Sequence, residues 1–264
     1  MSLSNSIGPV LWNVDERGVA TVIFNRAAVN NAYDDHLIQG LLEALHALAD
    51  AKRLRAVVLK GHGRHFQAGA DLKWIDAVRQ QSAQENVRVS RATAEAVQRL
   101  NRVPVPTIAL IQGACFGGGT GIVAACDIAV AADDAMFSIA EVRWGLTAAI
   151  IIPQLNDAIG ARQLRRYALT GERFDAQQAL RIGLVHEVVP QRELEGACGR
   201  IVNLVLANAP QAIAETKALT LRAAWERADS AFGELIQSHA AKRQSAEAAE
   251  GLASFAEKRA ARWT

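Results

Sequence analysis

Cysteine is scarce in this chain, which has three such residues among 264. Cys115, Cys126 and Cys198 stand in apolar or helix-prone segments, and an odd number cannot form a framework in which every thiol is paired. We therefore expect buried thiols of a reducing compartment rather than disulfides. Neither these cysteines nor the six histidines have the spacing of metal ligands, so the sequence predicts no metal site.

Long apolar runs and a strong net charge are also missing. No hydrophobic stretch approaches the ~18 residues of a membrane span, and the first residues lack the basic-then-apolar pattern of a secretory signal. The formal net charge is +2, with charged residues making up 21% of the chain. A net charge this close to zero does not indicate binding to nucleic acid or to a membrane. We expect a cytoplasmic protein.

What the chain does contain is an order of strands and helices typical of an α/β domain. Two β-prone runs, Val10–Val14 and Val19–Phe24, are joined by a turn that predicts a hairpin. Asp34 can cap a helix whose leucines repeat at helical spacing. Further strands are predicted at 56–60, 107–111, 128–131 and 136–139, and helices at 72–78, 86–100 and 119–125. Half of the residues are hydrophobic, so a sizeable core can form.

The composition changes after about Pro190. From there the chain is rich in Ala, Glu, Arg, Leu and Gln and poor in β-branched residues, which predicts three or four helices and no further strand. Such a helical tail packs either on its own core or on a neighbouring subunit.

The most informative segment is 113–121, which holds five glycines in nine residues between two apolar runs. Glycine leaves the backbone uncovered, and amides at the start of a helix lie at its positive end. A second small-residue loop at 66–72 could supply another donor. Two amides facing one carbonyl oxygen would make an oxyanion site, typical of an enzyme that acts on acyl groups.

Other interpretations of the glycine segment exist. Small residues also allow a helix to pack closely on a strand. A dinucleotide fingerprint is excluded, because Ile122 stands where the third glycine would be required. A phosphate-binding P-loop is excluded as well, because no Gly-Lys-Ser/Thr follows.

Glu141 is the candidate for proton transfer. It lies in a mostly apolar stretch, where desolvation would raise the pKa of its carboxyl group and suit it to general acid or base catalysis. The alternative is a surface glutamate paired with Arg143, and spacing alone favours that alternative. Asp71 follows the first small-residue loop and precedes a helical run, so it is expected to be an N-cap.

Taken together, these motifs resemble the enoyl-CoA hydratase/isomerase (crotonase) superfamily over nearly the whole chain. Segment 66–72 is similar to the family's first signature and segment 113–127 to its second. Asn25-Arg26 followed by Asn30-Asn31-Ala32 resembles an early motif, although Ala27 replaces the usual proline. Later segments follow the family pattern as well: Leu169-Thr170-Gly171, Gly183-Leu184-Val185, and a stretch near the end with Phe255 and Lys258.

The resemblance implies a spiral of ββα units at 1–195 and a helical oligomerisation region at 196–264, assembled as a trimer or a dimer of trimers. It implies a coenzyme A thioester as substrate and no separate cofactor. The catalytic residues would be Glu141 and the oxyanion donors Ala70 and Gly118, with Phe255 and Lys258 supplied by a neighbouring subunit. The implied substrate-binding residues are Arg26, Ala68, Ala70, Asp71, Leu72, Gly117, Gly118, Gly121, Phe255 and Lys258.

One departure from the pattern limits the functional prediction. Hydratases of this family usually have two glutamates, and Gly121 stands where the first would be, which leaves Glu141. The surrounding sequence looks most like bacterial hydratases of branched acyl-CoA breakdown, such as methylglutaconyl-CoA hydratases, and Gly121 is expected to leave room for a branched or carboxylated acyl chain. The alternatives are a 3-enoyl-CoA to 2-enoyl-CoA isomerase, which needs one base, and a non-catalytic CoA-thioester-binding protein.

Overall fold

The predicted hairpin is confirmed at the start of the fold. The computed structural model describes residues 4–51, 53–225 and 232–262. Val10–Val14 pairs antiparallel with Val19–Phe24, so that Val10 lies opposite Phe24. Asp15 Oδ1 accepts hydrogen bonds of 2.9 Å from the amides of Arg17 and Val19 and thereby fixes the turn.

Ten strands in the described ranges form two sheets. They are β1 Ser4–Asn5, β2 Val10–Val14, β3 Val19–Phe24, β4 Ala56–Gly61, β5 Thr107–Ile111, β6 Ala114–Phe116, β7 Ile128–Ala132, β8 Met136–Ser138, β9 Phe174–Asp175 and β10 Glu187–Val189. The larger sheet has the order β1-β2-β3-β4-β5-β7-β10, with parallel pairing from β3 onward. The smaller sheet has the order β6-β8-β9.

Ten α-helices lie in the same ranges. They are α1 Asp35–Ala49, α2 Leu72–Arg79, α3 Ala83–Asn101, α4 Gly118–Ala125, α5 Ile152–Thr170, α6 Ala176–Ile182, α7 Leu194–Leu206, α8 Pro210–Trp225, α9 Phe232–Arg243 and α10 Ala246–Ala256. Asp34 caps α1 and Asp71 caps α2, both through side-chain oxygens that accept backbone amides, as predicted. The α/β order is therefore confirmed.

Both faces of the larger sheet are buried at β5, which explains why this strand is apolar from Ile108 to Ile111. Ala109 and Ile111 point into the main core, while Ile108 and Leu110 point to a second cluster beneath α7. Alternate residues of a strand face opposite sides. A parallel strand covered on both sides must therefore be continuously hydrophobic.

The glycine segment contains a strand that the sequence did not predict. After β5 the chain enters β6, which pairs with β8, and only then begins α4 at Gly118. The first small-residue loop joins the same place, because Gln67 exchanges backbone hydrogen bonds with Ala114 and Phe116 at 3.1 and 3.0 Å. These pairings bring together two loops that are almost fifty residues apart.

The helical tail packs on its own core. Helices α7 to α10 follow β10, and the described residues beyond β10 form no further strand, as expected. In α9, His239 and Arg243 contact Ser90 of α3. This result selects the first of the two arrangements left open for the tail. The division at residue 195 and the trimeric assembly stay predictions.

The cysteines are free thiols, two of them buried and Cys126 half-buried. Burial raises the pKa of each thiol, that of Cys198 to about 11 and that of Cys126 to about 12. No helix in the described part of the chain is both long enough and apolar enough to cross a bilayer.

Candidate active site

A cavity of about 430 Å³ opens between the two small-residue loops and the C-terminal helices. Ala70, Gly117 and Glu141 all line it, and the chain's own Phe255 lies at its wall. A smaller apolar cavity of about 30 Å³ adjoins it and is lined by Gly118 and again by Glu141. The fold thus brings the three predicted catalytic positions to one place.

The first loop aims the Ala70 amide away from other backbone groups. Gln67 Oε1 accepts the Gly69 amide at 3.0 Å, and the Gly69 carbonyl accepts the Tyr33 amide at 2.9 Å. The Tyr33 carbonyl in turn accepts the Asp71 amide at 2.9 Å. The amide of Ala70, between these fixed neighbours, has no acceptor among the described residues. A free amide that borders a cavity is available to a ligand.

The second loop leaves a further amide free at the start of α4. Gly117 has φ +50° and ψ −124°, a conformation that strongly favours glycine. Its own amide donates to the Ser138 carbonyl at 2.8 Å, while the next amide, of Gly118, finds no acceptor in the described structure. The first amides of a helix lack intrahelical partners and lie at its positive end. Gly118 and Ala70 therefore fit the pair of oxyanion donors expected from the sequence.

Glu141 begins a short 3₁₀ turn, Glu141–Trp144, and two residues separate it from the end of β8. Its Oε2 is buried and has no hydrogen-bond partner in the described ranges. Its Oε1 lies 3.1 Å from the point that a Cβ on Gly117 would occupy. Burial raises the pKa of the carboxyl group from 4.5 to about 7. Glu141 forms no ion pair with the exposed Arg143, so the interpretation as a paired surface residue is wrong.

Three polar residues of the cavity were missed by the sequence analysis. Tyr33 packs beside Gly118, with Cε1 2.7 Å from the position of a Cβ there. Burial and the charge of Glu141 raise the Tyr33 pKa, so the phenol keeps its proton. His239 and Arg243 reach the cavity from α9. No local motif marks them, because only the packing of α9 on α3 brings these residues near Glu141.

His239 is held neutral. Burial, together with the charge of Arg243, lowers the pKa of the imidazole to about 3. His239 Nδ1 lies 3.1 Å from Ser90 Oγ, and Ser90 Oγ also accepts a hydrogen bond from Arg243 Nη2. Because this acceptance leaves the Ser90 proton free to donate to Nδ1, the arrangement favours the tautomer with its proton on Nε2.

Ala68, Asp71 and Leu72, predicted to contact substrate, also line the larger cavity. Arg26 does not. Its guanidinium pairs with Asp34 at 2.8 Å, lies 3.8 Å from Asp71 and donates to the Ala32 carbonyl. Arg26 therefore positions the first loop from behind rather than facing the cavity.

Two expectations about the substrate site need correction. Gly121 leaves no room for an acyl chain, because a Cβ at this position would lie 2.1 Å from Ile151 Cγ2. The side chain of Ile151 fills that space, so Gly121 serves close packing of α4. Phe255 was expected from a neighbouring subunit, but the chain's own Phe255 lines its own cavity and packs on Trp144 with a centroid distance of 5.2 Å. Lys258 is exposed and does not line this cavity.

The chain is similar to known proteins of one family. The family model described as enoyl-CoA hydratase/isomerase matches residues 15–264. A hydroxycinnamoyl-CoA hydratase-lyase of Pseudomonas fluorescens is 35% identical over 184 residues, covering 68% of this chain and 66% of that protein. A mitochondrial Delta(3,5)-Delta(2,4)-dienoyl-CoA isomerase of Dictyostelium discoideum is 30% identical over 256 residues, covering 93% of this chain and 87% of the other.

Solved structures share the fold. An enoyl-CoA hydratase from Mycobacterium avium superimposes with a TM-score of 0.85 at 35% identity, covering 97% of this chain and 99% of that one. The expected crotonase-type α/β architecture is thereby confirmed. The names of these relatives refer to different reactions, among them hydration and double-bond isomerisation. Sequence similarity alone therefore does not decide which reaction this chain catalyses.

Proposed function

The chain belongs to the enoyl-CoA hydratase/isomerase family, and on that premise we propose that it adds water to the double bond of a 2-enoyl-CoA thioester. The observation that carries the proposal is the environment of Glu141. Its Oε2 is buried and unpartnered within the described structure, and its Oε1 lies beside Gly117. The free amide of Gly118 is the next along the chain.

The amides of Ala70 and Gly118 would bind the thioester oxygen. As water adds to Cβ, negative charge moves onto that oxygen and an enolate forms. Two preorganised donors, one of them at a helix N-terminus, stabilise this charge more than the neutral carbonyl of the substrate. Such donors are typically worth ~3–4 kcal/mol of activation free energy each.

Glu141 would carry both proton transfers. As a carboxylate it takes a proton from water while the hydroxide bonds to Cβ, and as an acid it returns that proton to Cα of the enolate. The enzyme ends in its starting state, so one carboxyl group suffices. A pKa of about 7 suits both steps, because donor and acceptor forms are then both accessible near neutral pH.

The mouth of the cavity supports a coenzyme A ligand. Lys73, Arg143 and Arg173 line the cavity and are exposed to solvent. Cations at an open rim are suited to the phosphates of coenzyme A and would be screened by salt. We propose that coenzyme A enters as part of the substrate and that no separate cofactor takes part.

The small apolar cavity supports a short or branched acyl group. It is a small cavity of about 30 Å³, and Ile122, Ala148 and Ile151 are among its lining residues. A methyl branch near the double bond would fill this space. Room for a branch therefore comes from here rather than from Gly121.

Isomerisation of a 3-enoyl-CoA to the 2-enoyl-CoA is the second candidate. It is favoured by the single carboxylate: Gly121, where a second glutamate would stand, is packed against Ile151. Moving a double bond requires one base to shuttle one proton between two carbons. Tyr33 keeps its proton and can donate a hydrogen bond, but it is no second base.

Substrate turnover separates these candidates. Purified protein is mixed with crotonyl-CoA, tiglyl-CoA and methylglutaconyl-CoA, and the loss of conjugated-enoyl absorbance is followed; 3-hexenoyl-CoA is used in parallel, where that absorbance would grow. Hydroxyacyl products support the hydratase. Conversion of 3-hexenoyl-CoA to the conjugated 2-enoyl-CoA, with no hydration of any substrate, would show that the protein is an isomerase and not a hydratase.

Two variants complete the test. Glu141→Gln is expected to abolish turnover, and Glu193→Gln, at an exposed residue that does not line the cavity, is the matched control. Unchanged turnover in Glu141→Gln would remove Glu141 from the mechanism. Absence of turnover on every substrate, with thioester binding intact, would indicate a non-catalytic binding protein.

A further inference from the structure

The two cavities of the candidate active site meet at three polar side chains. Among the described residues, Tyr33, Glu141 and His239 are the ones that line both the larger and the smaller cavity. The other described residues around the smaller cavity are apolar except Thr93, whose hydroxyl donates to the Val89 carbonyl at 2.9 Å. A buried water typically makes about three hydrogen bonds to polar groups. The junction of the cavities therefore offers the number of partners that one ordered water needs.

His239 has one ring nitrogen engaged and the other unused. Its Nδ1 lies 3.1 Å from Ser90 Oγ, and Ser90 is fully buried and lines neither cavity. Its Nε2 has no hydrogen-bond partner among the described residues. The part of the ring that borders the two cavities is therefore the part turned away from Ser90, which carries Nε2.

The imidazole offers a donor at Nε2 and no base. Ser90 Oγ accepts a hydrogen bond from Arg243 Nη2, which leaves its own proton free for Nδ1 and keeps the ring proton on Nε2. Burial, together with the charge of Arg243, lowers the pKa of His239 to about 3, so the ring stays neutral near neutral pH. The bond to Ser90 fixes the direction of this N–H group, whereas the hydroxyl of Tyr33 can rotate its proton.

We propose that the Nε2–H group of His239 binds the water that adds to the substrate double bond and holds it beside Glu141. Gly121 contributes no side chain at the site, so the water oxygen needs a partner other than a second carboxylate to fix its position. The water accepts the hydrogen bond from Nε2, gives one proton to the Glu141 carboxylate and bonds to Cβ through its remaining lone pair. His239 keeps its own proton throughout. This inference rests on the proposed hydration, because isomerisation consumes no water.

Comparing hydration with α-proton exchange separates this role from a structural one. Exchange of the Cα protons of butyryl-CoA in heavy water needs Glu141 and the oxyanion donors but no addition of water, because this thioester is saturated. His239→Leu is expected to lower kcat for hydration of crotonyl-CoA about 10- to 100-fold, the effect of a misplaced reactant. Its KM and its rate of exchange should be nearly those of wild type.

Two variants serve as controls. His239→Gln places an amide N–H near the position of Nε2 and should recover most of the hydration rate. His36→Leu, at an exposed histidine that lines neither cavity, should leave both hydration and exchange unchanged. Nitrogen NMR of the wild-type imidazole needs no variant to fold: we expect the proton of His239 on Nε2, and a proton on Nδ1 would remove the proposed donor.

The contrary outcomes can be told apart. Hydration by a folded His239→Leu at the wild-type rate would overturn the inference and leave the proposed function standing. An equal fall in hydration and exchange would also overturn it, because the substitution would then have damaged the whole site. A wild-type protein that exchanges the protons of butyryl-CoA but hydrates no substrate would overturn the proposed function, and the role of His239 with it.

Discussion

Replacing Glu141 by glutamine should stabilise the fold at high pH while it removes the chemistry. Burial raises the pKa of this carboxyl group from 4.5 to about 7. Between these two pH values the folded protein holds a proton that the unfolded chain has released. The wild-type protein therefore loses stability as pH rises from 4.5 through about 7, and the loss is complete above that range.

The raised pKa lowers the free energy of unfolding by at most about 3 kcal/mol at high pH, because each pKa unit corresponds to about 1.4 kcal/mol. Glutamine has nearly the same shape but stays neutral, so the free energy of unfolding of the variant does not fall in this way as the pH rises. For a domain of this size the melting temperature changes by roughly 2–4 °C for each kcal/mol. We expect Glu141→Gln to melt about 6–12 °C above wild type at pH 8 and nearly together with it at pH 5.

Thermal unfolding of both proteins at pH 5 and pH 8 measures this difference. Glu193→Gln is the matched control, since removing a carboxylate from the exposed surface changes stability little. The reasoning would be refuted by a gap between Glu141→Gln and wild type that is the same at both pH values. A variant less stable than wild type at pH 8 would refute it as well.

Three further substitutions test the geometry of the site. Gly121→Ala should destabilise the protein by about 1–3 kcal/mol, because its Cβ meets Ile151. Denaturant unfolding should also show that Ile151→Ala lowers the free energy of unfolding less in the Gly121→Ala protein than in wild type. Gly117→Ala should lower kcat and also cost some stability, because the new methyl group presses on Oε1 of Glu141 and a φ of +50° strains alanine; an unchanged kcat would show that the contact with Glu141 does not matter. Phe255→Ala should raise KM for the thioester with little change in kcat, and an equal fall in kcat would place Phe255 at the chemistry instead.

Much of the framework could be predicted from local pattern. The hairpin was found because a polar turn separates two β-prone runs, and strand 107–111 because a buried parallel strand is continuously apolar. Asp34 and Asp71 were recognisable as caps from the residues that follow them. Strand Ala114–Phe116 was missed, since three residues in a glycine-rich segment form a strand only through pairing with β8.

The candidate site was predictable only in part. Gly118, Ala70 and Glu141 stand in motifs, so sequence could nominate them. Gly121 was misjudged because the space beside a glycine depends on its neighbour, and Ile151 is thirty residues further along the chain. His239 and Arg243 gave no local signal, because helical arginines and histidines usually face solvent.

The sequence by itself determined strands β2 to β5, β7 and β8, helices α1 to α4, the uncovered amides of the two loops and the acid after β8, because each follows from local spacing and composition. Tertiary structure alone decided the charge environment of the cavity. Burial depends on which elements pack over a residue, and only the packing of α9 on α3 brings the guanidinium of Arg243 and the neutral imidazole of His239 to the cavity that Glu141 lines.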